Sequence, residues 1–499
     1  MEIQRKYGAA LSYLNIIIKN AVTFLYTPFL LNTVGQADYG LFQMTNSVVM
    51  SLSLLSMGFS SAYVKFYMEY KVQDNKKAMK KLNGLYILLF SIIGLFAVVI
   101  GMILALNTTT LFGNSLIESE IILTKKLMIV LVLNIGLTFP SSVFDANIIV
   151  NEQFIFQQTR QIIQSLLVPV ISVILILNGF GVLAIGFTQL IVTLIFLILN
   201  LDYCLKKLNM EFAFKNLPFN LFKQLAMFSF FILLNQLVDL INNNGPNFVL
   251  GMVRGAKDVA TFAVALQVKN MFFVLSTSLS SVFVPKVNEI VNKNNDKTVL
   301  TALMIKVGRL QMAILFFILG GFIVLGKKFI SLWAGPENLD AYWLIIFMVV
   351  PSIIPLSQNI GIEIQRAMNK HIFRSITYSL FAILNIIITF LGTKYLGLFG
   401  ASLGYVLSIV FANGVLMNWY YQKKMGLHIK EFWFNTAKVS VPFILTTGVL
   451  MLIRLYIPIN NLFSFFLFAM VYVFMYVFIF IRFSANNFEK SQLLSIVKR

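Results

Sequence analysis

Apolar runs of about 20 residues recur from one end of this chain to the other, each long enough for an α-helix to cross bilayer hydrocarbon, and nothing else constrains the fold so tightly. Short polar breaks separate them. The period-two alternation of a transmembrane barrel is absent. Only 12% of residues are charged and 59% are hydrophobic, against roughly 25% charged in soluble domains. The chain is read as an all-α polytopic membrane protein with about 14 transmembrane helices. The expected spans are 9–31, 42–66, 83–106, 121–148, 160–178, 181–203, 224–248, 258–284, 301–325, 341–365, 373–393, 398–421, 438–457 and 462–482.

A net charge of +20 raises the question of nucleic acid, and the placement of the charges answers it. With the N-terminus in the cytoplasm and sides alternating, most Lys and Arg fall at cytoplasmic ends, as in 71–81, 206–223, 286–297 and 423–438. The basicity is a topology signal, both termini are expected inside, and no nucleic-acid partner is expected. Arg5 and Lys6 precede an apolar run too long for a signal peptide, with no small-residue cleavage site after it, so a retained first helix is expected. Cys204, the single cysteine, excludes a disulfide framework. His371 and His428 fall in predicted cytoplasmic loops, so no metal cluster and no cofactor are expected.

An internal repeat sets the architecture. The stretch PFLLNTVGQADYGLF at 28–42 is echoed by PNFVLGMVRGAKDVATF at 246–262, and aligning Asp38 with Asp258 places Gly35 on Gly255, an offset of about 220 residues. Gly186 to Lys207 likewise matches Gly404 to Met425. An even number of spans per repeat gives both halves the same orientation. The expectation is two six-helix lobes in parallel repeat, 1–210 and 211–430, with two additional helices and a cytoplasmic tail in 431–499. Such lobes enclose a cavity open to one side at a time.

Charges inside the spans are the candidates for chemistry, since each costs several kcal/mol in hydrocarbon. In the first span Ser12, Asn15, Lys19 and Tyr26 share one helix face. Lys19 lies roughly 15 Å from the start of its span, too deep for easy snorkelling. It is read as a cavity cation, with pairing to carbonyls or a carboxylate as the alternative. The seventh span carries Asn235, Asp239 and Asn242 at i, i+4 and i+7. Asp239 could pair with a lysine, bind a coupling cation or exchange a proton, and the stripe could equally be a hydrogen-bonded ladder. Adding the repeat offset to Lys19 leads to Asp239, so the two lobes would present opposite charges at matching positions. Lys269 places a second cation in the other lobe. Lys65 and Lys286 end the second helix of each lobe and read first as positive-inside anchors.

Asp145 with Asn147, and Glu363 with Arg366, are expected to form local caps or ion pairs. Arg160, Arg366 and Arg374 are weaker candidates for an anionic headgroup. Trp333, Trp343, Trp419, Tyr420, Tyr421 and Trp433 fit interfacial belts. No G-x-x-x-x-G-K-[ST] loop and no Ser/His/Asp or zinc constellation occurs, so the chain is not expected to be an enzyme.

The run from Asn20 to Phe42, of the form N-x-x-x-x-x-x-x-P-F-L-L-N-x-x-G-x-x-x-Y-G-x-F, followed by Met57-Gly58-Phe59 with Ala62, resembles the Wzx-type polysaccharide repeat-unit flippases. These belong to the multidrug/oligosaccharidyl-lipid/polysaccharide exporter superfamily. The resemblance implies a flippase that carries undecaprenyl-diphosphate-linked oligosaccharides across the bacterial plasma membrane for O-antigen, capsule or exopolysaccharide synthesis. It implies membrane lipids, a polysaccharide polymerase and chain-length machinery as partners. It also implies a cationic cavity for the pyrophosphate, which carries over to Lys19 and Lys269 and, more weakly, to Lys65, with Asn15, Asn235 and Asn242 as polar lining. A lysine meets phosphate as a point charge, without the fork of arginine. The competing readings are a cation-coupled multidrug exporter of the same superfamily, whose cavity should favour carboxylates, and a membrane glycan polymerase or ligase, which needs catalytic groups that the short outer loops lack.

Overall fold

The computed structural model describes residues 2–56, 59–215, 217, 219–486 and 489–490, without the side chains of residues 2, 56 and 219–235. Met57 and Gly58 of the resemblance motif lie outside the described residues. Every regular element among those described is helical. Among the described residues eleven helices are long and apolar enough to cross a membrane, or twelve with one bent pair. The protein is an all-α, multi-pass membrane protein.

Contacts divide the chain into two compact units, Met1–Ala260 and Thr261–Arg499. The first holds α1 (Glu2–Thr33), α2 (Gln36–Leu52), α3 (Phe59–Val72), α4 (Lys76–Leu106), α5 (Thr108–Phe112), α6 (Glu118–Val150), α7 (Phe154–Leu175), α8 (Leu183–Lys206) and α9 (Phe219–Val253). The helix α10 (Ala256–Ser281) runs on into the second unit, followed by α11 (Val284–Lys293), α12 (Lys297–Trp333), α13 (Ala341–Ser357), α14 (Asn359–Ala367) and α15 (Ile372–Ser408). The last elements are α16 (Asn418–Lys423), α17 (Ile429–Ala437), α18 (Ser440–Tyr456) and α19 (Leu462–Ile479).

Gly35 (φ 87°) stands before α2 and Gly255 (φ 94°) before α10, at matching positions of the repeat. A positive φ costs a side-chain-bearing residue energy that glycine does not incur. In both places the chain turns sharply and starts a helix two residues before an aspartate, Asp38 or Asp258, which suits the positive end of a helix dipole.

Two expected spans are not straight helices, and one long helix reverses where a break between spans is expected. The span expected over 42–66 breaks after Leu52, where Ser51 donates to the Ser47 carbonyl at 3.0 Å and Ser53 to that of Met50 at 2.6 Å. Such serine back-bonding competes with the helical ladder and bends it. The span expected over 341–365 is bent by 41° between α13 and α14, after Pro351 and Pro355 have removed two ladder donors. In α15, Gly397 leaves helical geometry (φ 64°, ψ −139°). A Cβ built on Gly400 would stand 1.9 Å from the Gly392 carbonyl oxygen, whereas eight residues of straight helix would span about 12 Å. The chain therefore reverses at Gly397, at the break expected between spans 373–393 and 398–421.

Polar cross-links register the first unit. The Tyr63 hydroxyl donates to Asn83 and accepts from Asn147, both at 2.8 Å, joining α3, α4 and α6. The segment after α8 is strapped over the start of α4: Asn83 donates to the Glu211 carbonyl at 2.9 Å, Ala213 N–H to that of Lys80 at 2.9 Å, and Lys80 pairs with Glu211. No side chain would fit beneath it at Gly84, whose Cβ would sit 2.2 Å from the Ala213 carbonyl oxygen. The helix α2 packs on α9 and the first turn of α10 through small residues. Asn247 donates to Ser47 at 3.3 Å, and a Cβ on Gly40 would lie 1.8 Å from the Ala256 carbonyl oxygen.

In the second unit α12 is the axis against which α13, α17, α18 and α19 pack. From α19, Tyr472 donates to the Phe317 carbonyl at 2.6 Å and Tyr476 to that of Ala313 at 2.7 Å. Buried Val287, Met304, Val307, Ile360, Ile364 and Phe432 form an apolar core nearby.

Candidate functional site

Lys269 is the most deeply enclosed cation in the second unit. It projects from α10 with 1% of its surface exposed. Its Nζ lies 4.4 Å from the ring centroid of Tyr405 and 5.6 Å from that of Phe273. A desolvated cation over an aromatic face gains about 2 kcal/mol or more. The ring of Tyr405 is itself fixed by a 2.8 Å hydrogen bond between its hydroxyl and Ser352 of α13. Two turns along α10, Ser276 Oγ accepts from Gln311 at 3.0 Å and Asn359 at 2.9 Å, and donates to the Leu356 carbonyl at 2.7 Å. Lys269 and Ser276 are seven residues apart and share a helix face. The largely apolar buried face of α10 thus carries two polar positions whose partners come from α12, α13, α14 and α15. Sequence reading missed Ser276, Ser352, Asn359 and Tyr405; Gln311, a polar residue inside an apolar run, was the available signal.

In the first unit Lys19 is exposed on α1, and among the described residues its Nζ makes no ion pair or hydrogen bond. The opposite charges at matching repeat positions, Lys19 and Asp239, therefore do not neutralise each other here. Asn15, one turn earlier, donates to Gln158 at 3.1 Å and Gln161 at 2.9 Å, which ties α1 to α7. Lys65 is exposed on α3, with Nζ 5.3 Å from the Phe66 ring. On α9, Asp239 is exposed and its carbonyl accepts from Asn243 at 2.9 Å, and Asn242 is half-buried. The Asn235 side chain lies outside the described residues.

The arginines are engaged within the protein. Arg160 of α7 is buried and pairs with Asp145 of α6 at 2.6 Å, and Asn200 of α8 donates to the same carboxylate oxygen at 3.0 Å. The ion pair expected as one alternative at Asp145 is thus made across helices rather than locally, and it withdraws Arg160 from any headgroup. Arg366 meets Glu363 at 2.9 Å, one turn apart as expected, and Arg374 lies 4.7 Å from the Tyr378 ring centroid. Trp333 is buried and stacks on Phe329 at 5.5 Å, whereas Trp343 and Trp419 are exposed. Among the described residues no group of three His, Cys, Asp or Glu could hold a metal ion.

Lys19 and Lys269 are charges on long apolar helices, and an ionisable residue in such a place marks a candidate functional site. The polysaccharide biosynthesis protein family matches residues 7–291. The uncharacterized membrane protein EpsK of Bacillus subtilis (strain 168) is 23% identical over 415 residues, covering 80% of this chain and 79% of that protein. Among solved structures, the lipid II flippase MurJ in an inward closed conformation is similar with a TM-score of 0.73 at 17% identity, over 95% of this chain and 97% of that one. An inward-facing multidrug resistance MATE family transporter of the MOP superfamily is similar with a TM-score of 0.65 at 14% identity, over 83% and 95%. At these identities the likeness is one of fold. The chain has the fold of MOP-superfamily transporters, and by the family match over more than half its length it belongs to the polysaccharide biosynthesis protein family.

Proposed function

We propose that this protein is a flippase that turns undecaprenyl-diphosphate-linked oligosaccharide repeat units across the bacterial plasma membrane, by alternating access, for surface polysaccharide synthesis. The observation that carries this reading is membership of the polysaccharide biosynthesis family in a chain with a MOP-type fold over nearly its whole length. Lys19, Lys269 and Lys65 are the proposed partners of the diphosphate, with Asp239 as a coupling or pairing group and Asn15, Asn235 and Asn242 as polar lining. Lys19 is the first choice, being exposed on its helix without an ion pair or hydrogen bond among the described residues. Lys269 is covered by Tyr405, so it meets substrate only when that ring swings away.

The 14-helix arrangement of two six-helix lobes, 1–210 and 211–430, with 431–499 appended and both termini cytoplasmic, belongs to the same proposal. Three features support it: the 35-residue α9, the bent pair α13 and α14 read as one span, and the reversal at Gly397 that divides another. The seam of Ser47 with Asn247 and Gly40 with Ala256 joins segments of different proposed lobes. It is the proposed contact that parts when access alternates. A polysaccharide polymerase and chain-length machinery would act on the delivered repeat units.

The test is reconstitution in liposomes with a fluorescent undecaprenyl-diphosphate-linked oligosaccharide, reading the fraction reached by a membrane-impermeant quencher over time. Protein-dependent flipping that falls in Lys19→Ala is the expected result. Flipping no faster than in protein-free vesicles would end the proposal. The likeness to a MATE transporter favours, as second reading, a multidrug exporter. Drug efflux in a sensitised strain, without glycan flipping, would select it.

A further inference from the structure

On the second unit a groove of about 430 Å³ runs between α13 and α15, lined only by apolar side chains: Trp343, Ile346, Phe347, Leu396, Phe399 and Leu403. Trp343 and Phe347 stand one turn apart on one wall, and Phe399 and Leu403 one turn apart on the other. The rims are open, with Trp343 51% and Leu396 63% exposed. Beside this groove stands a cation. Lys327 of α12 lays its Nζ 5.2 Å from the ring centroid of Trp343 and 5.6 Å from that of Tyr342. One indole is therefore both groove wall and platform for an ammonium. Lys394, two residues before Leu396, is exposed at the same end of the groove; Glu337 and Asp340 precede α13.

The chemistry of this place is that of a long hydrocarbon ending in an anion. An apolar channel on the side of a transmembrane unit offers nothing to a sugar, and it offers a hydrocarbon chain van der Waals packing against aromatic walls. A cation at its mouth favours chains whose head carries phosphate, which a lysine meets as a point charge. The occupant has to be long, flexible and unsaturated or branched enough to follow aromatic walls, and its phosphate has to sit within reach of an ammonium held over Trp343.

We propose that the groove between α13 and α15 seats the isoprenoid tail of a polyprenyl phosphate lipid, with its phosphate held at Lys327. The inference rests on the flippase reading and adds to it a docking place for the carrier tail, apart from the lysines within the helices. The Gly397 turn and the start of α13 form one end of the groove, and under the proposed topology that end faces the outer leaflet. A carrier delivered to that leaflet would find its tail held there while the sugars remain in water.

The experiment is photolabelling of the full chain in phosphatidylcholine proteoliposomes with a benzophenone-bearing polyprenyl phosphate, the modified residues being located by mass spectrometry. Labelling on Trp343, Phe347, Phe399 or Leu403 is expected. Unlabelled undecaprenyl phosphate should compete it away at about a tenfold lower mole fraction than phosphatidylglycerol. Lys327→Ala should weaken labelling about fivefold. Phe399→Ala, a second variant at a partly exposed position, should weaken it with the thermal midpoint unchanged. Equal competition by phosphatidylglycerol would mean an ordinary acyl-chain groove and would overturn the proposal, as would labelling confined to other helices. Flipping of the glycan lipid without labelling here refutes the groove alone. Labelling without flipping supports the groove and refutes the flippase reading.

Discussion

Arg309 and Glu489, 180 residues apart in the chain, hold each other through two hydrogen bonds of 2.8 Å with both side chains buried. The guanidinium is satisfied on its remaining sides by the carbonyls of Asn435 at 2.6 Å and Ser484 at 2.7 Å. Glu489 also accepts from the Asn486 N–H at 2.9 Å. A two-pronged pair of this kind fixes Glu489 against α12 and α17 in one geometry.

Removing one partner of that pair leaves the other charge buried and unmet, which costs about 3–5 kcal/mol. Glu489→Ala is expected to lower the thermal unfolding midpoint of the detergent-solubilised protein markedly. Arg309→Met combined with Glu489→Met should recover most of the loss, because no lone charge remains. A single variant as stable as the unsubstituted protein would show that the pair contributes nothing to the fold.

The strap over α4 invites a gentler substitution. Gly84→Ala places a methyl group 2.2 Å from the Ala213 carbonyl oxygen, so the segment must lift and the hydrogen bond from Ala213 to Lys80 is lost. The cost is about 1–3 kcal/mol, felt locally. Limited trypsin digestion should cut faster at Lys206, Lys207 and Lys215 in the variant than in the parent. Equal rates would show that the strap does not protect these sites.

Tyr405 separates two contributions at Lys269. Tyr405→Phe removes the hydroxyl that meets Ser352 and keeps the ring beneath the ammonium, so a loss of about 1 kcal/mol is expected. Tyr405→Ala removes the ring as well and should cost at least about 3 kcal/mol more, from cavity and lost cation–π contact together. Thermal midpoints of the two variants check this order. If both variants melt alike, the ring contributes nothing to holding the lysine.

Acid should loosen α11 through one residue. Hydrogen bonds from Lys293 and Lys286, both 2.9 Å, draw the exposed Glu289 carboxyl from an ordinary 4.5 down to about 2. A group depressed in the folded state stabilises it above the unfolded value, and that contribution is lost as the pH falls from 4.5 towards 2. Hydrogen exchange of the α11 amides, corrected for intrinsic rates, should hold steady above pH 4.5 and rise below it. In Glu289→Gln the same region should show no such step.

The helices were legible in the sequence because a membrane span announces itself by length and apolarity alone. The turn at Gly35 and its counterpart at Gly255 were legible for a different reason: the repeat aligned them, and both carry a positive φ. The pair of Glu363 with Arg366 followed from helix spacing. What periodicity could not supply was which helix touches which. Asp145 read as part of a local cap or ion pair because Asn147 is near in sequence, while its partner, Arg160, lies across a turn on α7. Arg309 with Glu489 was hidden by the same limit, and so was the aromatic enclosure of Lys269 by Tyr405. The break after Leu52 depended on serine hydroxyls choosing carbonyls of their own helix, which composition does not specify. Polar residues within apolar runs, Gln311 and Arg309 among them, did mark the places where long-range partners would be found.

Ser47 and Asn247 meet across a separation of 200 residues, and that distance has a temporal meaning for a chain made from one end. At about 5–20 residues per second, the small-residue face of α2 waits roughly 10–40 seconds in the bilayer before its partners on α9 and α10 are synthesised. During that interval Ser47 and Gly40 face lipid, insertion machinery or a provisional neighbour. The seam is therefore among the last contacts of the first unit to form, and the cell must shelter an unfinished helix until its match arrives.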